Sequence, residues 1–293
     1  MSTILDLQKP EDLATAKSLV VTARGQNPGE PVLVTYGYLN QVLIYEAAGV
    51  VARFPRDSGA AERLRLEAEN LEKIATVNLP VTVPRFLHLS TEPTWLLTTY
   101  VPGIAHSRVD ITSWTEAQKQ SLGTDLADFL FRLHTGLDVN SWRQQDSLLS
   151  QFEKDIYECP ERDQQHSVAL KELSSLKDMI ARSPTPESVL YGDVHGANLI
   201  FDTTLKLVGV VDFADMHVGT VYEELRRVYM MDKVIFEAAK TQYESRTAEN
   251  IDETLVRQWA IVHELAVLCR HANEPDYPSI PRAKAHLHEW QVL

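Results

Sequence analysis

A chain of 293 residues, 44% hydrophobic and 24% charged, is long enough for one large domain or for two lobes, each with its own core. Its net charge of −13 argues against a nucleic-acid partner and suits a cationic small substrate, although acidity also serves solubility alone. No apolar run nears the about 18 residues of a membrane span, the N-terminus lacks a secretory pattern, and Cys159 and Cys269 form no C-x-x-C pair, so the expectation is a cytoplasmic protein with no membrane partner, disulfide framework or cysteine zinc site.

In chain order, Pro10 to Ala23 predicts an amphipathic helix, with Leu13, Ala16, Leu19 and Val20 at helical spacing. The runs P-V-L-V-T-Y-G, Gln41 to Glu46 and V-V-A-R-F-P-R read as three strands of an antiparallel meander, with Gly37-Tyr-Leu-Asn40 between the first two. Gly59 to Val77 predicts a helix whose buried face holds Leu64, Leu71 and Ile74, with Glu67 among them. P-R-F-L-H-L and T-W-L-L-T-T-Y-V read as two further strands, closing at Pro102-Gly103, the expected lobe boundary between residues 1–102 and 103–293.

Helical patterns dominate beyond it. Ser113-Trp-Thr-Glu116 reads as a capping box ahead of a helix whose core face holds Leu122, Leu126, Phe129, Leu130 and Leu133; His134 ends that stripe as a structural residue. Further helices are expected around Leu148 to Ile156, at Val168 to Ala181, across Val221 to Tyr243 and at Ile251 to His271, the last with an Asn250-Ile-Asp-Glu253 capping box. Two short strands interrupt this half, in the stretch Val189 to Asp215, which reads V-L-Y-G-D-V-H-G-A-N-L-I-F-D and then T-T-L-K-L-V-G-V-V-D-F-A-D.

That stretch carries the chemistry. Asn198 follows Asp193 by five residues, and Asp212 follows Asn198 by fourteen, at the end of an apolar run and just before Phe213. Phosphoryl transfer needs phosphates positioned, their charge neutralised by divalent metal and the attacking hydroxyl oriented by a base. A loop Asp with an Asn five residues on, and a second Asp in a D-F pair, is the set a protein kinase uses for that task. Amide and carboxylate oxygens are hard ligands suited to magnesium. Arg53 stands where a kinase has its third-strand phosphate-pairing lysine, Glu67 can pair with it, Gly37 lies in the turn over the phosphates, and Thr98, Thr99, Tyr100 and Val101 form the hinge expected to meet the nucleotide base.

Over nearly its whole length the chain resembles the aminoglycoside phosphotransferase and choline-kinase-like family of small-molecule kinases. The resemblance rests on V-A-R-F-P-R with E-A-E-N-L-E-K-I, on L-A-D-F-L-F-R-L-H, on Y-G-D-V-H-G-A-N-L-I and on V-G-V-V-D-F-A-D. F-P-R and D-F-A-D are most similar to kinases of the aminoglycoside 2″-hydroxyl. It implies an α+β, protein-kinase-like fold in two lobes: a five-stranded antiparallel sheet with one helix, then a mainly helical lobe. It implies Asp193 as catalytic base, Asn198 and Asp212 as magnesium ligands, Arg53 as the α/β-phosphate contact and Glu67 as its partner. ATP or GTP would be the donor, and a monomer is expected. The family usually reads H-G-D where this chain has Tyr191-Gly-Asp, and carries lysine where this chain has Arg53, a planar fork in place of a compact ammonium.

An aminoglycoside-type aminated sugar is the first acceptor implied; a macrolide, an amino alcohol or another sugar is the alternative, and a non-catalytic nucleotide-binding protein is the competing class. His195, Asp215, Glu223, Glu224, Asp232 and Glu264 are candidate acceptor contacts. His195 also reads as a loop-stabilising hydrogen-bonder, and the acids, with Glu237, also read as a solvated face. Glu67, with Glu62, Glu69 and Glu72 nearby, has the same rival reading. G-D-V-H-G alone matches a metallophosphatase motif, but the partner motifs that chemistry needs do not follow it.

Overall fold

The computed structural model describes residues 4–293 apart from 36–38, 106–109, 143–146 and 162. Helix α1 (Pro10–Arg24) carries a proline at its start, where a missing amide costs nothing. Strands β1 (Val32–Val34), β2 (Asn40–Tyr45) and β3 (Val50–Pro55) form the expected meander. Helix α2 (Ser58–Ile74) is capped by Asp57, whose carboxylate accepts from the Ala60 amide. Strands β4 (Phe86–Thr91) and β5 (Thr94–Thr99) complete a five-stranded antiparallel sheet in the order β1-β2-β3-β5-β4. Strand β6 (Ile104–Ala105) follows.

The period-two alternation of β3 decides where Arg53 points. Val50, Ala52 and Phe54 join Leu43, Trp95, Leu97 and the α1 residues Ala16 and Val20 in one buried cluster, with Phe54 stacked on Trp95 at 5.6 Å. Burying a side chain such as Phe54 or Leu97 stabilises by about 1.5–3 kcal/mol. The other face carries Leu96, packed with Leu64 and Ala68 of α2. Arg53 falls between Ala52 and Phe54 in the strand and so faces α2.

The helical half begins with α3 (Glu116–Gly136). Its capping box is Thr115 with Gln118, two residues beyond the expected Ser113 and Glu116. Both quartets satisfy the sequence rule, but Ser113 closes a 3-10 turn, Ile111–Ser113, so the chain turns helical only after the buried Trp114. Helices α4 (Leu148–Tyr157) and α5 (Gln164–Arg182) and strand β7 (Glu187–Leu190) follow. Strands β8 (Leu199–Phe201) and β9 (Leu207–Val210) form a hairpin that pairs with β6 in the order β6-β8-β9. Strand β10 (His217–Thr220) pairs antiparallel with β7.

The last third holds α6 (Val221–Met231), α7 (Lys233–Thr247), α8 (Glu253–Arg270) and α9 (Ile280–Glu289). The single helical span expected across Val221 to Tyr243 is two helices. Asp232 breaks it in an extended conformation (φ −171°), caps α7 through the Val234 and Ile235 amides, and pairs with Lys119 at 2.6 Å. Helix α8 is capped by Asp252 rather than Asn250, because the Ile251 amide is taken by Glu244 at 2.8 Å and holds the chain extended until Asp252 can reach the Thr254 amide.

By contact the chain divides into two compact units: Met1–Asp110 with Ala197–Met216, and Ile111–Gly196 with His217–Leu293. In the first, the β8–β9 hairpin is stitched to the segment before β4, since Thr82 donates to the Val208 carbonyl (2.9 Å) and accepts from the Val210 amide (3.0 Å). In the second, α8 is buried almost all round and packs against α4, α5, α6 and α9. Helix α3 crosses α7 closely at Gly123, where a methyl group would strike the Ile235 carbonyl and the Ala238 side chain. Among the described residues no helix is long and apolar enough to cross a membrane.

Candidate functional site

In the first unit, hairpin register brings two of the candidate residues to one end. Leu199 pairs with Val210, and the Val211 amide donates to the Asn198 carbonyl at 3.0 Å. Asn198 and Asp212 therefore both leave the ladder at its open end. Asn198 is buried, and Asp212 sits at φ 66°, a left-handed backbone that side-chain-bearing residues adopt at a cost of about 1 kcal/mol or more. Both offer only oxygen to a cation, so the pair fits magnesium, which keeps part of its shell as water and phosphate.

One stripe of α2 holds the segment after Asp212. Arg63, Glu67 and Asn70, spaced i, i+4 and i+7, lie on one helical face. Arg63 grips both carboxylate oxygens of Asp215, at 2.8 and 2.5 Å. Buried Glu67 accepts from the Phe213 amide at 3.3 Å, and Asn70 donates to the Phe213 carbonyl at 2.8 Å. Glu67 also forms an ion pair with Arg53. One carboxylate thus joins strand β3, helix α2 and the D-F-A-D segment. Of the expected hinge, Thr98 is buried in β5, the Thr99 amide donates to the Arg85 carbonyl at 3.0 Å, the Tyr100 amide to the Gly49 carbonyl at 2.8 Å, and Val101 is buried. Gly37 lies outside the described residues.

In the second unit, Asp193 and His195 meet, with His195 Nε2 3.1 Å from Asp193 Oδ2. The other oxygen, Oδ1, accepts from Arg227 at 2.7 Å. The backbone just before Asp193 is held by Glu224. This fully buried carboxylate accepts from the Tyr191 amide at 2.6 Å and the Gly192 amide at 3.1 Å. Gly192 has φ 84°, which lets the chain turn toward Asp193 without side-chain strain. Tyr191 is buried, with its ring edge-on to Phe129 at 5.8 Å.

Behind Glu224 runs a buried polar chain. Burial, then Glu249 and Glu224, pushes the Tyr243 phenol well above its ordinary range, so it stays protonated. Its hydroxyl is 2.9 Å from His134 Nδ1, and the other ring nitrogen, Nε2, lies 3.6 Å from Glu224 Oε2. Next to Arg227, Arg226 points elsewhere: it donates to the Glu223 carbonyl and toward His263, and lies 5.9 Å over the Phe152 ring. Burial, then the charge of Arg227, pulls its pKa down to about 9, so it remains cationic at neutral pH. Burial lowers the pKa of His263 well below its ordinary value, with the neighbouring arginines adding, so that ring is neutral.

The remaining candidate acids are spread apart and each meets donors of the protein itself. Glu223 closes the capping box of α6 through the Thr220 amide at 2.8 Å. Asp232 caps α7 and pairs with Lys119. Glu264, fully buried on α8, lies 2.6 Å from His286 and 3.5 Å from Arg282 of α9. Sequence reasoning passed over Arg63, Asn70 and Arg227, which hold Asp215, Phe213 and Asp193. The one available signal was their spacing, with Arg63 and Asn70 flanking Glu67 on its face and Arg227 one turn after Glu224.

Three solved structures share the fold: the gentamicin–APH(2″)-IIa complex (15% identity over 94% of this chain and 95% of that one, TM-score 0.69), the GDP complex of aminoglycoside 2′-phosphotransferase-IIIa (13% identity, 96% and 98%, TM-score 0.76), and macrolide 2′-phosphotransferase MphH from Brachybacterium faecium (18% identity, 94% and 97%, TM-score 0.67). No curated protein sequence matches the chain. The model of the phosphotransferase enzyme family (APH) matches residues 33–268. The chain therefore belongs to the phosphotransferase enzyme family.

Proposed function

We propose that the protein transfers the γ-phosphate of ATP or GTP to a hydroxyl of a small molecule, with magnesium. Asp193 is the base that takes the hydroxyl proton. Arg53, oriented by Glu67, contacts the α- and β-phosphates, and Thr98 to Val101 meet the nucleotide base. Asn198 and Asp212 hold the metal, which when bound neutralises phosphate charge. Glu67 is the observation that carries this reading: it bonds both Arg53 and the amide next to Asp212, so one side chain aligns a phosphate contact with a metal ligand. Asp212→Asn is expected to weaken magnesium-dependent nucleotide binding by about 10- to 100-fold, the scale on which metal sites respond to lost support. Titration calorimetry with and without magnesium measures this, and unchanged binding would refute the ligand role.

The acceptor is proposed first as an aminoglycoside-type aminated sugar, consistent with the acidic chain and the gentamicin-bound relative. One observation favours the second class, a macrolide, amino alcohol or sugar with fewer ammonium groups. Asp215, Glu223, Glu224, Asp232 and Glu264 each already meet a cation or an amide of the protein, Arg282 being the cation for Glu264. A panel of aminoglycosides, macrolides, amino alcohols and sugars, run with each nucleotide, separates the two. Phosphorylation confined to the less cationic acceptors selects the second class. Nucleotide binding with no transfer to any acceptor makes the protein a non-catalytic binder and overturns the proposal.

A further inference from the structure

Asp193 is a mostly buried carboxylate with its two oxygens in different surroundings. Oδ1 receives a charge-assisted hydrogen bond from Arg227 at 2.7 Å, while Oδ2 lies 3.1 Å from His195. Arg227 is itself four-fifths buried and comes from α6, three residues after Glu224. Residues at i and i+3 share a helical face, so one face of α6 grips the same short segment twice. Glu224 takes the amides of Tyr191 and Gly192, and Arg227 takes the side chain of the next residue. Arg226, between them in sequence, faces His263 and Phe152 and has no part in this grip.

A carboxylate on a short side chain rotates about its last bond unless something fixes it. A guanidinium bond to one oxygen is short and directional and removes that freedom. We infer that Arg227 is a positioning residue for the transfer: it holds Oδ1 and so makes Oδ2 the oxygen that meets the acceptor hydroxyl. This rests on the reading of Asp193 as the base. Each carboxylate oxygen has two lone-pair directions, so the hydroxyl can approach Oδ2 beside His195. In the step itself, the hydroxyl proton passes to Oδ2. The acceptor oxygen forms its bond to the γ-phosphorus, the bond from that phosphorus to the bridging oxygen breaks, and the nucleoside diphosphate leaves with its electron pair. The proton on Oδ2 then returns to solvent.

Three variants test this with the full chain and the best acceptor from the panel. Arg227→Gln and Arg227→Ala should lower kcat by about 10- to 100-fold, the usual effect of a misplaced catalytic group, with KM for the nucleotide within about 2-fold. Arg227→Lys, which restores charge and one donor, should recover part of the loss. Guanidinium ion added at sub-denaturing concentration should reactivate Arg227→Ala but leave the wild type and Asp193→Asn unchanged. If a variant folds poorly, rates are taken per nucleotide-binding molecule, and Arg227→Lys with guanidinium rescue decides. Full activity of Arg227→Gln beside an inactive Asp193→Asn would overturn the Arg227 role and leave the base reading standing. A loss of activity that guanidinium and lysine both fail to restore would also overturn it, as a purely structural effect. An active Asp193→Asn would remove the base reading and this inference with it.

Discussion

Replacing Asp193 with asparagine is expected to lower kcat by about 10³-fold, within the range that positioned acid–base groups contribute, while nucleotide affinity stays within about 3-fold. Asparagine keeps the shape of the side chain and can still offer its oxygen to Arg227, so the loop need not rearrange. It cannot take a proton from a hydroxyl. The change therefore separates binding from transfer. Stopped or quenched single-turnover assays measure the chemical step, and calorimetry measures nucleotide binding on the same preparation. Unchanged turnover would show that some other group serves as base.

The second large effect concerns folding. Glu224→Ala removes a fully buried carboxylate and leaves the amides of Tyr191 and Gly192 without their acceptor. Each stranded amide costs about 1–3 kcal/mol, and breaking a buried charged network reaches about 3–5 kcal/mol. For a chain of this size that corresponds to a fall in Tm on the order of 10 °C. Glu224→Gln should fall between: one oxygen remains, but its amide nitrogen places a donor against a donor. Thermal melts and urea titrations of the three proteins check the order. A Glu224→Ala protein that melts with the wild type would mean the loop is held by other contacts. Activity should fall in the same order, because the segment that loosens is the one carrying Asp193.

The sheet was legible because its signals are local. Alternation in V-V-A-R-F-P sends Arg53 to the face opposite Phe54, and the stripe of Leu64, Glu67, Leu71 and Ile74 marks the α2 face that meets it. The helical boundaries were less legible because several residues could cap. Thr115 displaced Ser113, which closes a 3-10 turn ahead of the buried Trp114, and Asp252 displaced Asn250 because the Ile251 amide is taken by Glu244 seven residues earlier. Asp232 looked like one more acid on an amphipathic helix until its extended backbone cut that helix in two. Glu224 and Arg227 were the hardest to read. Their partners lie more than thirty residues earlier, and on a helix rich in charge nothing local separates a buried gripping residue from a solvated one.

The left-handed backbone at Asp212 limits which experiments on that residue can be interpreted. Asparagine tolerates this conformation at least as well as aspartate, and glycine tolerates it better. Asp212→Asn therefore asks about charge alone, and Asp212→Gly about the side chain alone. Alanine or glutamate would change the local fold and the ligand at once, so a lost activity in either would carry two explanations. The same constraint acts on natural drift at this position: a β-branched or long side chain meets a conformational barrier before any question of metal arises.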